Sequence, residues 1–251
     1  MPMPMVRGTF SPVRAWRLAV VECVAWTLGI NMQRSLSPMQ SYYAARAVEY
    51  DAVYEKPERQ ADLRQIEQWL PSVLSGRRVL EVACGTGYWT QFLAPVASSI
   101  VAVDSSAETL RIAQQRVPQR TVLFKIGDAY ALQKHGSLFS AAFAGFWFSH
   151  VPLARQCEFL RGLNEMLEPG ARVVLLDNRY VEGSSSAISE HDAAGNTYQS
   201  RKLSDGSAHR VLKNFPTEAQ LLALIEGGLG QSAAYTCWQF FWAFEYRVPE
   251  A

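Results

Sequence analysis

The feature that most constrains the fold is the segment at residues 79–89, which reads VLEVACGTGYW. Its first four residues are mostly apolar and β-branched, which is typical of a buried parallel strand. Gly85 and Gly87 then permit a sharp backbone turn that can press against a ligand before a helix begins. Because an ionised carboxylate at the end of an apolar strand needs partners, Glu81 is predicted to meet a ligand or backbone donors.

Two later strands also end close to an aspartate. The first covers residues 100–104 and ends in Asp104, and the second covers residues 122–126 and is followed by Asp128. Asp104 lies 19 residues after Gly85. In a β-α-β unit this spacing places a carboxylate at the carboxyl edge of the neighbouring strand, where it can bind the hydroxyls of a ribose. Ser105 then predicts the cap of a helix at residues 107–117.

The order of predicted elements indicates an α/β protein. Further strands are predicted at residues 139–148 and 172–177, with a helix at 153–167 stopped by Pro169 and Gly170. Five strands therefore alternate with helices up to residue 177, which predicts a parallel sheet covered on both faces. Upstream of the first strand, helical patterns cover residues 41–53 and 57–70, the second ended by Pro71 and Gly76. Residues 233–248 suit a closing antiparallel strand pair.

The glycine segment resembles motif I of the class I S-adenosylmethionine-dependent methyltransferases, commonly acid-x-Gly-x-Gly-x-Gly. Ala83 replaces the first glycine, and Gly85 and Gly87 keep the other two. The alternative is the dinucleotide fingerprint, but Thr90 stands at its third glycine and Glu81 would repel a pyrophosphate. The resemblance implies a Rossmann-like, seven-stranded, mostly parallel sheet with helices on both faces and an antiparallel C-terminal strand pair.

Carried over by position, the resemblance implies a binding site for S-adenosyl-L-methionine. Glu81 and the glycine turn would bind the methionine amine and the sugar region, Asp104 the ribose, and Asp128 with Ala129 the adenine. Phe146 lies where the family lines the methionine end, and Tyr50 lies where a side chain can close over the cofactor. The predicted cofactor residues are Tyr50, Glu81, Ala83, Gly85, Gly87, Asp104, Ser105, Asp128, Ala129 and Phe146.

Methyl transfer is an in-line displacement, so the protein mainly orients a nucleophile and excludes water. His150, at the end of the fourth strand, is the candidate general base, with a capping or packing role as the equal alternative. Trp147, Arg179 and Tyr198 are candidate substrate residues. The predicted function is methyl transfer to an O or N atom of a small molecule. The alternatives are a non-catalytic cofactor-binding regulatory module and a protein or RNA methyltransferase.

The sequence also predicts how the chain is divided. Residues 1–38 are predicted to be a poorly ordered or loosely docked extension, and 39–251 a single domain with a lid-like insertion at 181–213. Within the insertion, residues 198–203 and 207–213 predict a β-hairpin.

Outside the extension 20 basic residues face 22 acidic ones, a balance that argues against nucleic-acid binding.

The remaining sequence predictions concern compartment and assembly. Arg17 and Glu22 interrupt the apolar stretch near the N-terminus, which argues against a stable membrane anchor. The four cysteines match no metal spacing and are typical of a reducing compartment, so a cytoplasmic protein without metal is predicted. The predicted assembly state is a monomer or a homodimer.

Overall fold

A central β-sheet organises this computed structural model, which describes residues 47–134 and 136–250. The strands are β1 (Arg78–Val82), β2 (Ser99–Asp104), β3 (Val122–Ile126), β4 (Phe139–Gly145), β5 (Leu167–Asn178), β6 (Ile188–His191), β7 (Thr197–Lys202), β8 (Ala208–Leu212), β9 (Gln231–Cys237) and β10 (Phe241–Arg247). The central sheet has seven strands in the order β3-β2-β1-β4-β5-β10-β9. Strands β1 to β5 are parallel, and β10 lies antiparallel between β5 and β9. This topology confirms the predicted fold class.

Helices cover both faces of this sheet. They are α1 (Gln60–Leu74), α2 (Thr90–Leu93), α3 (Ala107–Arg116), α4 (Gln156–Asn164) and α5 (Glu218–Glu226). Because side chains alternate along a strand, neighbours in β1 reach different cores. Val79 packs with residues of α1 and α3, whereas Leu80 packs with residues of α4 and α5. No helix among the described residues is long and apolar enough to span a membrane.

Two predicted helix stops are wrong, at Pro71 and near residue 167, whereas Gly76 follows the observed end of its helix as predicted. Helix α1 continues past Pro71 to Leu74, although a proline ring removes a backbone hydrogen bond. Leu70 and Leu74 are fully buried, so packing on the sheet holds this last turn. The helix predicted to run to residue 167 ends at Asn164, and Pro169 and Gly170 lie within β5. The chain stays extended there because Phe139 pairs with Leu167 across the sheet.

The insertion at residues 181–213 forms a second, three-stranded antiparallel sheet in the order β6-β7-β8. Strands β7 and β8 are the predicted hairpin, whereas β6 was not predicted. The lid role of the insertion stays a prediction. The extension predicted for residues 1–38 lies outside the described residues, and so does most of the helix predicted at 41–53. Residues 47–54 of that helix form a 3-10 helix.

Candidate active site

The carboxyl ends of β1, β2 and β4 meet at one edge of the central sheet. Val82 of β1 lies opposite both Val103 of β2 and Ala144 of β4. The residues that follow β1 and β4, Ala83 and Phe146, both adopt a φ of 56°. This left-handed backbone is uncommon for non-glycine residues, and such conformations concentrate at functional sites. Two neighbouring strands therefore turn sharply at the same edge.

The glycine turn after β1 is anchored by Asp104. The backbone N–H of Gly85 donates to Oδ2 of Asp104 at 2.8 Å. Gly87 has a φ of 75°, and a Cβ there would lie 3.0 Å from the Cβ of Ala113 in α3. The close approach at Gly87 is therefore to helix α3.

Asp104 also holds the start of α3. Its Oδ1 accepts hydrogen bonds from the backbone N–H of Ser106 at 2.9 Å and from the Thr109 hydroxyl at 3.2 Å. Burial raises the pKa of Asp104, while these backbone donors oppose the rise. The helix cap is Ser106 and not Ser105 as predicted, because the Ser106 hydroxyl accepts from the backbone N–H of Thr109. Ser105 itself is exposed at this edge.

The end of β3 adds the predicted adenine residues. The backbone N–H of Gly127 donates to the Asp104 carbonyl oxygen at 2.9 Å, which joins the ends of β2 and β3. Asp128 is exposed, and its Oδ1 accepts from the backbone N–H of Tyr130 at 2.9 Å. Ala129 is half-buried beside it. The two aspartates thus lie on consecutive strand ends, as predicted.

Glu81 is a buried acid whose hydrogen bonding is incomplete. It is 1% exposed, and its Oε2 has no hydrogen-bond partner among residues 47–134 and 136–250. Burial raises the pKa of Glu81 to about 8, and the negative charge of Asp104 adds to the rise. The hydroxyl of Thr90 opposes the rise in this pKa. The indole nitrogen of Trp89, just beyond the glycine turn, has no partner in the described part of the chain. A ligand with an amine or other polar groups would satisfy such atoms.

An aromatic wall borders the glycine turn. Tyr54 stacks on Tyr88 with ring centroids 3.5 Å apart, and its ring lies 5.5 Å from that of Phe146 and 5.9 Å from that of Trp89. The sequence placed Phe146 at this edge but did not single out Tyr54. The signal was present, since Tyr54 ends the aromatic-rich segment that contains Tyr50. The backbone of Tyr50 lies in the 3-10 helix at residues 47–54.

The N-terminal segment is tied to the glycine turn by polar contacts. Asp51 accepts a hydrogen bond from the Thr86 hydroxyl at 2.6 Å and forms an ion pair with Arg116 of α3. Arg116 also donates to the Thr86 hydroxyl at 3.1 Å. The sequence reasoning missed Asp51 because its partners lie 35 and 65 residues away in the chain.

Beyond β4, His150 and a buried ion pair lie under the second sheet. Nδ1 of His150 donates to the Leu212 carbonyl oxygen at 2.6 Å, and the ring is buried. Burial lowers the pKa of His150, and the positive charges of Lys213 and Arg201 lower it further. The imidazole is therefore neutral near pH 7, with the proton on Nδ1 and the lone pair on Nε2.

The ion pair joins Lys213, next to β8, to Asp177 in β5. Nζ of Lys213 donates to Asp177 Oδ1 at 2.6 Å and to the Ser149 hydroxyl at 2.6 Å. Burial alone would raise the pKa of Asp177, but the Lys213 ammonium outweighs it and holds the pKa below its usual range. Burial lowers the pKa of Lys213.

The three predicted substrate residues are not brought together. Trp147 packs edge-on against Tyr130 and Phe159, in the core on the α4 side of the sheet. Arg179 is exposed and donates to the carbonyl oxygens of residues 238 and 239. Tyr198 donates to Asp192 at 2.9 Å and stacks under the Arg210 guanidinium. Their substrate role stays a prediction.

A cavity of about 380 Å³ opens at the carboxyl end of β5. Its walls come from the residues before α1, from the end of β5 with the following loop, and from the second sheet, with Val53, Asn178 and Lys213 as examples. Arg59 lies in this wall and was missed by the sequence reasoning, since nothing in its local pattern separates it from a surface arginine. The cavity thus opens at the same carboxyl edge of the sheet, two strands away from the glycine turn after β1.

Known proteins resemble this chain in sequence over the region of the glycine turn. Residues 79–170 match the sequence model of a family described as a methyltransferase domain. The demethylmenaquinone methyltransferase of Lactiplantibacillus plantarum is 34% identical over 110 residues, which are 41% of this chain and 46% of that protein. The ubiquinone biosynthesis O-methyltransferase of Azorhizobium caulinodans is 33% identical over 153 residues, 60% of this chain and 57% of that protein. The chain spans about half the length of the curated relatives it matches.

Two solved structures extend the likeness over most of the chain. A structure described as a DhpI–SAM–HEP complex superposes with a TM-score of 0.71 at 29% identity, over 84% of this chain and 96% of that one. A DhpI–SAH complex gives a TM-score of 0.69 at 28% identity, over 84% and 95%. The predicted resemblance is confirmed, because residues 79–170 match a methyltransferase-domain family and both of these superposing structures are complexes with SAM or SAH.

Proposed function

We propose that this protein is an S-adenosylmethionine-dependent methyltransferase that methylates an oxygen or nitrogen atom of a small molecule. The observation that carries the proposal is the shared strand edge, where Glu81 and Asp104 flank the glycine turn. The names of two relatives, a demethylmenaquinone methyltransferase and a ubiquinone biosynthesis O-methyltransferase, specify small-molecule acceptors. The cytoplasmic location and the monomeric or homodimeric state stay predictions.

The residues present fit S-adenosylmethionine. The unpaired Oε2 of Glu81 is a suitable acceptor for an ammonium group, and it is buried where a cation would be favoured once the carboxyl ionises. Asp104 and Asp128 end consecutive strands and offer carboxylates to a ribose and to an exocyclic amine. The ring of Phe146 borders the same edge.

The chain's contribution to the reaction is positioning and exclusion of water. When bound, the cofactor supplies a methyl group from a sulfonium sulfur, which keeps the electron pair of the broken bond while the acceptor atom forms the new one. The stacked rings of Tyr54 and Tyr88 close one side of the edge to solvent. His150 as general base stays a prediction, and Nε2 is the nitrogen that would take the acceptor's proton.

Calorimetric titration of S-adenosylhomocysteine tests the proposal. We expect the wild-type protein to bind it and not NADH. Asp104→Ala should weaken that binding by about 100-fold, since the two hydrogen bonds from the ribose hydroxyls to the Asp104 carboxylate are lost. The matched control is Asp205→Ala, which also removes an aspartate that accepts a backbone N–H, but in the β7–β8 turn far from the strand edge. The control should bind as the wild type does.

Several results would count against the proposal. Well-folded wild-type protein that binds no S-adenosylhomocysteine, or binds only NADH, would sink it. If Asp104→Ala lowers the melting temperature strongly, Asp104→Asn keeps an oxygen for the Gly85 N–H and isolates the loss of charge. Binding without turnover of S-adenosylmethionine by any tested acceptor would favour the regulatory module instead.

A further inference from the structure

We propose that the methyl acceptor is a small acid whose phosphate-like oxyanion binds in the cavity at the carboxyl end of β5. The inference rests on the methyltransferase function proposed above and names the substrate class of that same site. It follows from the charges that line the cavity, from the way one buried arginine is held, and from the position of the cavity beside the predicted methionine end.

The cavity wall is positively charged. It contains five cationic side chains and no carboxylate, namely Lys56, Arg59, Arg201, Lys202 and Lys213. Two acids lie next to these cations. Asp177 pairs with Lys213, and Glu58 accepts a hydrogen bond from the Ser184 hydroxyl at 2.8 Å. An excess of three positive charges remains, and such an excess favours a dianion such as phosphate over a single carboxylate.

Among the described residues, the groups that accept hydrogen bonds from Arg59 are all neutral. It is 4% exposed, and its guanidinium donates to Asn178 Oδ1 at 2.8 Å, to the Ser184 hydroxyl at 3.0 Å and to the Ser184 carbonyl oxygen at 3.1 Å. Among the residues that the structure describes, no carboxylate lies within 4 Å of it. A buried cation without a counter-ion is costly, whereas a planar guanidinium suits an incoming oxyanion.

The other cations converge on the same space. The Lys56 ammonium donates to the Ser184 carbonyl oxygen that Arg59 also binds. Burial lowers the pKa of Lys56, and the positive charges of Arg59 and Arg201 lower it further. Arg201 donates to Gln199 Oε1 at 2.9 Å, and its charge also reaches Lys213 across the cavity. The cations therefore repel one another, and a bound anion would relieve that repulsion.

Short chain and backbone links connect the cavity to the edge where the cofactor is predicted to bind. Val53 lines it, and the next residue, Tyr54, contacts Phe146 and the glycine turn. Asn178 ends β5, whose neighbour β4 leads to Phe146, and the Phe146 N–H donates to the Leu176 carbonyl oxygen at 2.7 Å. The volume of about 380 Å³ is in the range of small-molecule sites and leaves room beyond one oxyanion.

Titration of inorganic phosphate into protein saturated with S-adenosylhomocysteine, at constant ionic strength, tests the inference. Acetate and acetamide serve as a singly charged probe and its uncharged isostere. We expect saturable phosphate binding, weaker acetate binding and no acetamide binding. Lys56→Gln and Arg201→Gln should each weaken phosphate binding by about tenfold, since each removes a charge-assisted contact. Neither side chain is fully buried, so both variants should fold.

The matched control is Arg210→Gln, which removes an exposed arginine of the same small sheet that pairs with Glu190 outside the cavity. It should leave phosphate affinity within about twofold. If S-adenosylhomocysteine binds but phosphate does not saturate, or if Lys56→Gln and Arg201→Gln bind phosphate as the wild type does, this inference is overturned and the methyltransferase function stands. Tighter binding of acetate than of phosphate would overturn the dianion assignment. If the protein bound phosphate in this pattern but did not bind S-adenosylhomocysteine, the anion site would stand, whereas the proposed function and with it the acceptor assignment would be refuted.

Discussion

The two halves of the sheet edge carry opposite charges. At the ends of β1, β2 and β3 the predicted cofactor residues include the acids Glu81, Asp104 and Asp128. At the end of β5 the cavity is lined by cations, of which Arg59 is buried. Both halves belong to one continuous edge, since β4 lies between β1 and β5. The difference is the one expected if the two halves bind chemically different ligands, as proposed above.

This division suits a reaction with two substrates. Under the proposals above, the acidic half binds an amine and the hydroxyls of a sugar, and the basic half binds an oxyanion. The halves also differ in how their charges are compensated. Asp104 receives backbone N–H groups, and Lys213 has a buried carboxylate, but among the described residues Glu81 and Arg59 form no ion pair. A bound ligand would supply the missing charged partner of each of these two side chains.

Removing Lys213 should give the largest loss of stability. Lys213→Met leaves Asp177 buried without a counter-ion, so we expect a loss of about 3–5 kcal/mol in the free energy of unfolding near pH 7. The pKa of Asp177 should then rise, because its ammonium partner is gone. The loss should therefore shrink as the pH falls and Asp177 takes up a proton. Urea unfolding at several pH values measures both effects.

The paired variant sharpens this test. Lys213→Met with Asp177→Asn removes both charges and should recover most of the lost stability. Lys134→Met, at an exposed position, should change stability by less than about 0.5 kcal/mol. If Lys213→Met lowered the free energy of unfolding no more than the Lys134 control does, the ion pair with Asp177 would not stabilise the fold. Lys213 would then be a cation available to the anion site, and Asp177 would not compensate its charge.

In the acidic half, Glu81 should make the ligand-free protein less stable as the pH rises. Its pKa is about 8 when folded and near 4.5 when unfolded, so its contribution is fully present below about pH 4.5 and is lost as the pH rises toward 8. The expected loss is about 3 kcal/mol between pH 4.5 and 7, at up to about 1.4 kcal/mol per pH unit. Glu81→Gln has no such titration, so the stability of the wild type relative to this variant should fall by that amount.

Proton release gives a second measurement of Glu81. A bound ammonium group favours the ionised carboxylate, so binding of S-adenosylhomocysteine at pH 7 should release about one proton from the wild type and none from Glu81→Gln. Calorimetry in buffers with different ionisation enthalpies counts the protons. If the free energy of unfolding had the same pH dependence in the wild type and in Glu81→Gln, and both released the same number of protons on binding, Glu81 would not be the group that contacts the cofactor.

The acidic half was predictable because its signals are local. Each acid lies near the end of an apolar strand, and parallel strands end at one edge of the sheet. The spacing from Gly85 to Asp104 was therefore enough to place Asp104 beside the glycine turn. The hairpin of β7 and β8 was found for the same reason, since its turn residues adjoin the strands. The details that failed were one-residue questions, such as Ser106 and not Ser105 at the helix cap.

The basic half could not be predicted because its members are far apart in the chain. Arg59 meets Asn178 and Ser184 across 119 and 125 residues, and no local pattern reports such a contact. Adjacent side chains can also diverge. Phe146 and Trp147 belong to one aromatic run, yet the left-handed backbone at Phe146 helps to send them to different cores. Only the folded chain separates them.

The smallest expected effect separates packing from ligand contact at the glycine turn. Gly87→Ala places a Cβ 3.0 Å from that of Ala113 and forces a non-glycine residue to a φ of 75°, whereas Gly76→Ala has a similar φ of 70° and no atom within 4 Å. Both variants should lose about 1–2 kcal/mol to the left-handed backbone. Gly87→Ala should lose roughly 1–2 kcal/mol more through overpacking against α3.

A double-mutant cycle with Ala113→Gly isolates that excess. Without the Ala113 side chain, Gly87→Ala should cost little more than Gly76→Ala, apart from the nearby backbone of residue 113. Thermal unfolding without ligand supplies the four values. If the excess persists in the Ala113→Gly background, packing against the Ala113 side chain is not its cause, and the excess instead reports strain of the turn or contact with the backbone of residue 113.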